Sequence, residues 1–136
     1  MKTIKGSDVS TCLESCKRVY LCGKLSGKNG IEHIENSGYE IGISSYDKFT
    51  CESAHKHTYN EEYNYVLSGS IKVFIFDENK EYTFTTGDMY LIEPNMPYIT
   101  KAEAGTRVLF TKTPGGNDKV LCPELEKAIT TWTLSW

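Results

Sequence analysis

The sequence lacks the features that mark several large classes of protein. Its 136 residues contain no cluster of Lys and Arg, and the formal net charge is −3, which argues against a nucleic-acid partner. No apolar run is long enough to span a bilayer. The first ten residues contain no apolar segment of the kind that directs export. We therefore expect a cytoplasmic protein that binds neither nucleic acid nor membrane.

Paired cysteine motifs are also missing. The five cysteines form an odd set without any Cys-x-x-Cys spacing, which argues against a zinc knuckle or a redox motif. Because no export signal is seen, reduced thiols are expected. Cys12 and Cys16 are four residues apart, and we interpret them as small buried or half-buried residues rather than as a metal-binding pair.

The sequence does contain a series of short runs in which side chains alternate with a period of two. Ile71, Val73 and Ile75 alternate along one such run, and turn residues such as Gly69 and Gly87 separate neighbouring runs. Many short strands at close spacing are typical of an antiparallel sandwich or barrel. Neither a repeat nor a linker divides the chain. We therefore expect one domain over residues 1–136, with its motif-bearing core at about residues 31–114.

The two ends of the chain differ from this β pattern. In the N-terminal arm, Thr11-x-x-Glu14 resembles a capping box, which predicts a short helix or turn before a strand in residues 18–25. Near the C-terminus, apolar residues recur at intervals of three and four: Leu121, Leu125, Ile129, Trp132 and Trp136. This stripe predicts an amphipathic helix that packs on the barrel or on a partner subunit.

Two histidines and a carboxylate form the most informative group. His55 and His57 have the same parity on an extended strand, so their rings should point the same way. Glu62 follows five residues after His57, past a short bend, and can approach the same point. Two imidazoles and one carboxylate leave coordination positions of a metal open. Glu61, which shares strand parity with His57, stays open as the alternative carboxylate.

The arrangement of these residues resembles the two motifs of the cupin family. Residues 55–69 read His-x-His, four residues, Glu, six residues, Gly, and residues 87–98 contain Gly-Asp, an apolar strand and Pro94-x-x-Pro97. The resemblance implies an all-β fold, the double-stranded β-helix or jelly-roll barrel, flanked here by a short N-terminal arm and a C-terminal amphipathic helix. It also selects Glu62, because the six-residue interval to Gly69 matches the first motif.

Tyr98 is a departure from the family pattern. In cupins this position usually carries a third metal-binding histidine, and the glycine usual after the first Pro is here Asn95. A neutral phenol is a weak metal ligand at pH 7. We therefore expect Tyr98 beside the metal as a catalytic acid or hydrogen-bond donor rather than as a strong ligand. Asn95 can adopt the left-handed backbone that the glycine usually supplies.

The resemblance implies three alternative functions. The first is a divalent metal (Fe, Mn, Ni or Zn) on His55, His57 and Glu62, with an isomerase or dioxygenase reaction on a small polar ligand such as a sugar or carboxylate. The second is a metal-independent sugar isomerase or epimerase, with His55 or His57 as base and Tyr98 as acid. The third is a non-catalytic ligand-binding module.

The sequence also allows predictions about two cations, a third histidine and the oligomeric state. Arg107 and Lys101 are the cations that a nucleotide-linked ligand would contact, although a solvated arginine is the more usual interpretation. His33 has no partner at ligand spacing, so we interpret it as a surface residue. A homodimer is expected, because cupin relatives commonly pair through sheet edges and such edges need to be covered.

Overall fold

The computed structural model describes residues 1–136. Twelve strands and three short helices make up the regular structure. In chain order these elements are α1 (Gly6–Leu13), β1 (Arg18–Gly23), β2 (Ile34–Glu35), β3 (Glu40–Tyr46), β4 (Thr50–Cys51), β5 (His55–His57), β6 (Glu61–Ser68), β7 (Ser70–Ile75), β8 (Lys80–Thr85), β9 (Met89–Ile92), β10 (Tyr98–Ala102), β11 (Thr106–Thr113), β12 (Lys119–Leu121), α2 (Pro123–Ala128) and α3 (Thr130–Thr133).

The strands form two sheets that face each other. The first has the order β2-β1-β3-β11-β6-β9, and the second has the order β12-β5-β10-β7-β8, with β4 also paired to β10. All pairs are antiparallel except β1 with β2. Strands that are distant in sequence are neighbours in space, as in a double-stranded β-helix. The all-β jelly-roll fold expected from the sequence is confirmed.

Alternating side chains fill the space between the sheets. Ile71, Val73 and Ile75 of β7 are at most 4% exposed, as their alternation predicted. Val66 and Val108 of the first sheet pack against Ile71 of the second, which joins the two sheets through a shared apolar core. The same interior contains a polar cavity of about 390 Å³, and this cavity holds the residues described below.

Gly69 shows why the first motif ends in glycine. Its φ of +78° lies in the left-handed region, and a Cβ there would clash with the Thr106 hydroxyl and lie 2.7 Å from the Thr106 Cα. Thr106 Oγ1 accepts from the Ser70 N–H at 3.0 Å and donates to the Ser70 carbonyl at 2.9 Å. The β6–β7 turn therefore closes against β11. Asn95 has φ of +61°, the left-handed conformation that asparagine tolerates in place of the usual glycine.

The N-terminal helix begins earlier than the sequence suggested. Helix α1 starts at Gly6 after Lys5, Thr11 lies in its last turn, and Glu14 is its C-cap residue. The capping box expected at Thr11-x-x-Glu14 is therefore wrong. The helix is positioned by burial instead, because Cys12 and Leu13 pack against Val19 of β1. All five cysteines of the chain are free.

The C-terminal stripe is divided between three elements. Leu121 belongs to strand β12, and the helical part is broken at Ile129, where φ is −124° and ψ is 33°. Thr130 and Thr131 follow directly, and β-branched residues of this kind lower helix propensity. The expected single helix is therefore replaced by the two short helices α2 and α3. None of the helices is long and apolar enough to cross a membrane.

The C-terminal segment packs on the outer face of the second sheet. The Trp132 ring lies 5.9 Å from the Phe74 ring between centroids. The Lys101 Nζ is 4.0 Å from the centre of the Trp132 ring, and it donates to the carbonyls of Trp132 and Ser135 at 2.8 and 2.7 Å. Lys101 is only 3% exposed. The tryptophan stripe thus packs on its own barrel.

The predicted homodimer remains a prediction, and the structure suggests where it would form. Strand β9 is at the edge of the first sheet, and its outward side chains Met89 and Leu91 are 60% and 40% exposed. We expect light scattering at micromolar concentration to give twice the 15.4 kDa chain mass. Leu91→Lys should shift the mass to that of one chain, whereas the control Leu134→Lys, on an exposed C-terminal residue, should not. A monomeric wild type would contradict this prediction.

Candidate functional site

Three strands bring the sequence-predicted residues together inside the barrel. In β5, His55 and His57 face inward and are 7% and 4% exposed, while Lys56 points the other way. Tyr98 of β10 lies directly opposite His55 in the β5–β10 pair and is 3% exposed. Glu62 of β6 reaches the same place from the facing sheet. The expected cluster of two histidines, a glutamate and a tyrosine therefore lines the cavity.

His55 is held in a defined tautomer. Its Nδ1 lies 2.7 Å from the carbonyl oxygen of Ser53, which can only accept, so Nδ1 carries the hydrogen. The Nε2 lone pair then accepts a hydrogen bond from the Tyr98 hydroxyl at 2.8 Å. Burial lowers the pKa of His55 to about 4 and raises the pKa of Tyr98 well above its ordinary value. The pair is a neutral imidazole beside a neutral phenol.

His57 has the opposite electrostatic environment. Its Nδ1 is 2.7 Å from Asp118 Oδ1, and its Nε2 is 3.0 Å from Glu62 Oε2. Burial alone would lower the pKa of His57, but the hydrogen bonds to the two carboxylates outweigh it and raise the pKa. Burial likewise opposes ionisation of Glu62 and Asp118, but hydrogen bonds hold the pKa of both below the ordinary value. Both ring nitrogens of His57 therefore donate to carboxylates.

Asp118 organises this part of the site. Besides His57, it accepts hydrogen bonds from the backbone N–H groups of Tyr59 and Asn60 at 2.9 and 2.8 Å, and from Asn60 Nδ2 at 2.7 Å. The Asn60 amide also donates to the Gly116 carbonyl at 3.0 Å. The side chain of Asp118 has no exposed surface. These contacts fix the Asp118 carboxylate, which in turn orients the His57 ring.

The structure separates the remaining candidates from the site. Glu61 points away from the cavity and accepts from the Tyr63 hydroxyl at 2.8 Å, so it does not join the histidines. His33 pairs with Glu35 at 3.1 Å on the surface. Arg107, whose Nε donates to Ser45 Oγ at 3.3 Å, does not line the cavity, and neither does Lys101. The two cations that the sequence suggested for ligand contact are thus in the wrong place.

Sequence reasoning missed four polar residues of the cavity region. Asp118 and Asn60 belong to segments that the sequence identified only as a loop and a bend, and Arg18 and Lys119 carried no motif. Arg18 and Lys119 line the cavity from β1 and β12. The one usable signal for Asp118 was its position in a polar loop, and a loop aspartate alone does not identify its partner.

The side chains that the resemblance assigns to a metal are hydrogen-bonded to other side chains of the site. No group of three or more His, Cys, Asp or Glu side chains in the chain has the geometry to hold a metal ion. The His55 Nε2 accepts from Tyr98, and the His57 Nε2 donates to Glu62. The Tyr98 hydroxyl also lies 3.5 Å from Glu62 Oε2, so the donor atoms of all three residues are already hydrogen-bonded to side chains of the site. As arranged they do not fit a metal ion, which would have to replace these hydrogen bonds.

The sequence and the fold together identify the class of protein. Residues 47–111 match the family profile described as Cupin domain. This segment contains β5 to β10 with both motifs, and the two-sheet topology is the one that the resemblance implied. The chain therefore contains a cupin domain. No protein of curated function matches the sequence.

Solved structures of similar fold share little sequence with this chain. An uncharacterized conserved protein with a double-stranded β-helix domain from Klebsiella pneumoniae is 14% identical, with a TM-score of 0.61 over 90% of this chain and 98% of that chain. KdgF from Halomonas sp. is 18% identical, with a TM-score of 0.55 over 61% and 74% of the two chains. Pac13 from Streptomyces, described as a unique nucleoside dehydratase, is 13% identical, with a TM-score of 0.56 over 64% and 70%. These similarities establish the fold alone.

The opposite pKa shifts of His55 and His57 predict that the free energy of unfolding passes through a maximum as the pH is varied. The folded pKa of His55, about 4, lies below the ordinary 6.5, so stability should fall by about 3 kcal/mol as pH drops from 6.5 to 4. The raised pKa of His57 contributes stability that is complete below pH 6.5 and is lost as pH rises through the folded value. Urea unfolding between pH 4 and 9, in EDTA, measures both effects.

Single variants should separate the two limbs of that profile. His55→Gln should flatten the acid side, and His57→Gln should flatten the alkaline side. His33→Gln, which changes a surface histidine, should leave the profile unchanged. The lowered pKa values of Glu62 and Asp118 add a further loss of stability only below their ordinary values of 4.5 and 3.8. A wild-type profile that is flat between pH 4 and 7 would contradict this reading of His55.

Proposed function

We propose that the cavity is an acid–base active site that transfers a proton on a small polar ligand, in an isomerisation or epimerisation next to a carbonyl group. One observation carries this proposal: a buried neutral phenol and a neutral imidazole, Tyr98 and His55, share a hydrogen bond beside an imidazole held between two carboxylates. Groups with such different proton affinities, placed side by side, are what acid–base catalysis requires. The free cysteines agree with a cytoplasmic location.

The roles follow from the hydrogen bonds. Tyr98 is the only side chain of the group that is neutral and carries an O–H, so it donates to the ligand oxygen on which negative charge develops. When the Tyr98 hydroxyl turns to the ligand, the Nε2 lone pair of His55 becomes free to accept the proton from carbon. His57, oriented by Asp118, supplies positive charge next to the site. His55 is therefore the proposed base and Tyr98 the proposed acid or donor.

Pac13 supports the choice of these residue types. Its structures with uridine include variants in which a tyrosine is replaced by phenylalanine and a histidine by glutamine. The likeness to this chain is one of fold, so it suggests the kind of residue to test and not the ligand.

Solvent-deuterium incorporation tests the proposal. The protein would be incubated in D₂O with EDTA and a panel of ketoses, aldoses and sugar acids, and loss of carbon-bound proton signals would be followed by NMR. We expect exchange that is abolished in His55→Gln and retained in His33→Gln. Exchange that is independent of His55, or the absence of exchange on the whole panel, would refute the proposal. Binding without exchange would instead support the non-catalytic ligand-binding module.

Divalent-metal binding by His55, His57 and Glu62 is the second candidate function. It is favoured by the contacts of the two Nδ1 atoms, because Ser53 and Asp118 hold them as outer partners hold the histidines of metal sites. Both Nε2 atoms therefore point into the cavity, towards Tyr98 and Glu62. Binding requires the Tyr98 hydroxyl to leave His55 and the His57 Nε2 to lose its proton. A metal there would act as a Lewis acid on a ligand oxygen.

Metal analysis of untagged protein separates the two candidates. Stoichiometric Fe, Mn, Ni or Zn that is lost in His57→Ala and kept in Tyr98→Phe would support the metal site, and Tyr98→His should then bind more tightly. Protein that binds none of these ions at saturation and still exchanges deuterium in EDTA would support the acid–base site.

A further inference from the structure

The charge of the cavity differs from that of the whole chain. The chain has a formal net charge of −3, yet the cavity is lined by five Lys or Arg residues and only three carboxylates. The cations are Arg18, Lys24, Lys28, Lys112 and Lys119. A concave site with one sign of charge concentrates ligands of the other sign. The cavity therefore favours an anion although the protein as a whole is acidic.

Each carboxylate of the cavity already has a cationic partner. Glu40 pairs with Lys112 at 3.0 Å, and Glu62 pairs with His57 at 3.0 Å. Glu52 pairs at 2.6 Å with Lys17, which is outside the lining. The surplus positive charge consequently cannot be neutralised by these carboxylates.

Arg18 and Lys119 are the cations of the cavity that lie in strands and have no carboxylate partner. Neither has a carboxylate within salt-bridge distance. The guanidinium of Arg18 is oriented by its Nε, which donates to Ser44 Oγ at 3.1 Å, and by the Phe110 ring, whose centre is 5.3 Å away. The Lys119 Nζ makes no hydrogen bond within the protein, and Lys119 lies opposite His57 in the β5–β12 pair, so both side chains are on the same face.

We infer that Arg18 and Lys119 form an anion-binding subsite, which selects a small organic ligand that carries a carboxylate or a phosphate. A guanidinium presents paired N–H donors that match either oxyanion, and an ammonium adds a second charge. The cavity volume, about 390 Å³, suits a small molecule. The subsite places the uncharged part of this ligand beside His55 and Tyr98. This last step rests on the proposed function, whereas anion binding does not.

Calorimetry with matched pairs of probes tests the subsite without turnover. Galacturonate would be compared with galactose, and glucose 6-phosphate with glucose. We expect at least one acid to bind more tightly than its neutral counterpart, and Arg18→Met and Lys119→Met to weaken that binding by about tenfold or more. Arg107→Met, outside the cavity, should bind as the wild type does. A preference for galacturonate assigns a carboxylate, and a preference for glucose 6-phosphate assigns a phosphate.

The inference fails if neither acid binds up to millimolar concentration, if the neutral sugars bind as tightly, or if Arg107→Met loses as much affinity as Arg18→Met. Lys119 is in a short edge strand and its Nζ has no partner, so Lys119→Met should fold even if Arg18→Met does not. Binding that depends on Arg18 without any deuterium exchange would keep the subsite and refute the acid–base proposal. Deuterium exchange on a neutral sugar by a protein that binds neither acid would keep the acid–base proposal and refute the subsite.

Discussion

Replacing Asp118 by alanine should lower the free energy of unfolding by about 3–5 kcal/mol, the loss typical of breaking a buried ion pair by removing one partner. The carboxylate accepts four hydrogen bonds, from His57, from the two backbone N–H groups of Tyr59 and Asn60, and from the Asn60 amide. Alanine removes the carboxylate that accepts from these four donors, and of them only the Asn60 amide has another acceptor, the Gly116 carbonyl. Urea unfolding at pH 7 measures the loss.

Asp88 provides a matched control for this variant. It also accepts a backbone N–H, that of Thr85 at 2.7 Å, but in an exposed turn where water can replace the carboxylate. Asp88→Ala should therefore cost about 1 kcal/mol or less. Asp118→Asn keeps an oxygen acceptor but has no charge to balance His57, so it should fall between the two. If Asp118→Ala unfolds within about 1 kcal/mol of the wild type, Asp118 does not organise the site as described.

Tyr98→Phe should reduce deuterium exchange by two to four orders of magnitude, roughly the contribution of a positioned acid. The phenyl ring keeps the packing of Tyr98 against Val73, Ile75 and Ile92, so the free energy of unfolding should drop by only about 1 kcal/mol, the value of one hydrogen bond. Progress curves measured by NMR for the wild type and the variant give the ratio of rates.

Tyr82→Phe is the corresponding control. The Tyr82 hydroxyl donates to Glu78 at 2.5 Å in an exposed position, away from the histidines. Its removal should leave the exchange rate unchanged. A Tyr98→Phe variant with exchange close to that of the wild type would show that the phenol is a structural partner of His55 and not the acid.

The jelly-roll fold could be predicted from the sequence because its signals are local. Alternation with a period of two determines which side chains face inward, as in Ile71, Val73 and Ile75, and Gly69 is required where the backbone turns with positive φ. The same parity brings His55 and His57 to one face. Glu62 followed from its interval to Gly69 rather than from parity, which favoured Glu61.

The partners of those residues were decided by the tertiary structure. Asp118 reaches His57 because β12 pairs with β5, across 61 positions of the chain, and no local pattern encodes such a pairing. Parity holds along β11, where Val108, Phe110 and Lys112 line the cavity and Arg107 is on the other face, but parity alone does not say which face points inward. Sequence alone therefore determined the fold and the central histidines. Which charges meet inside the barrel depended on long-range strand pairing.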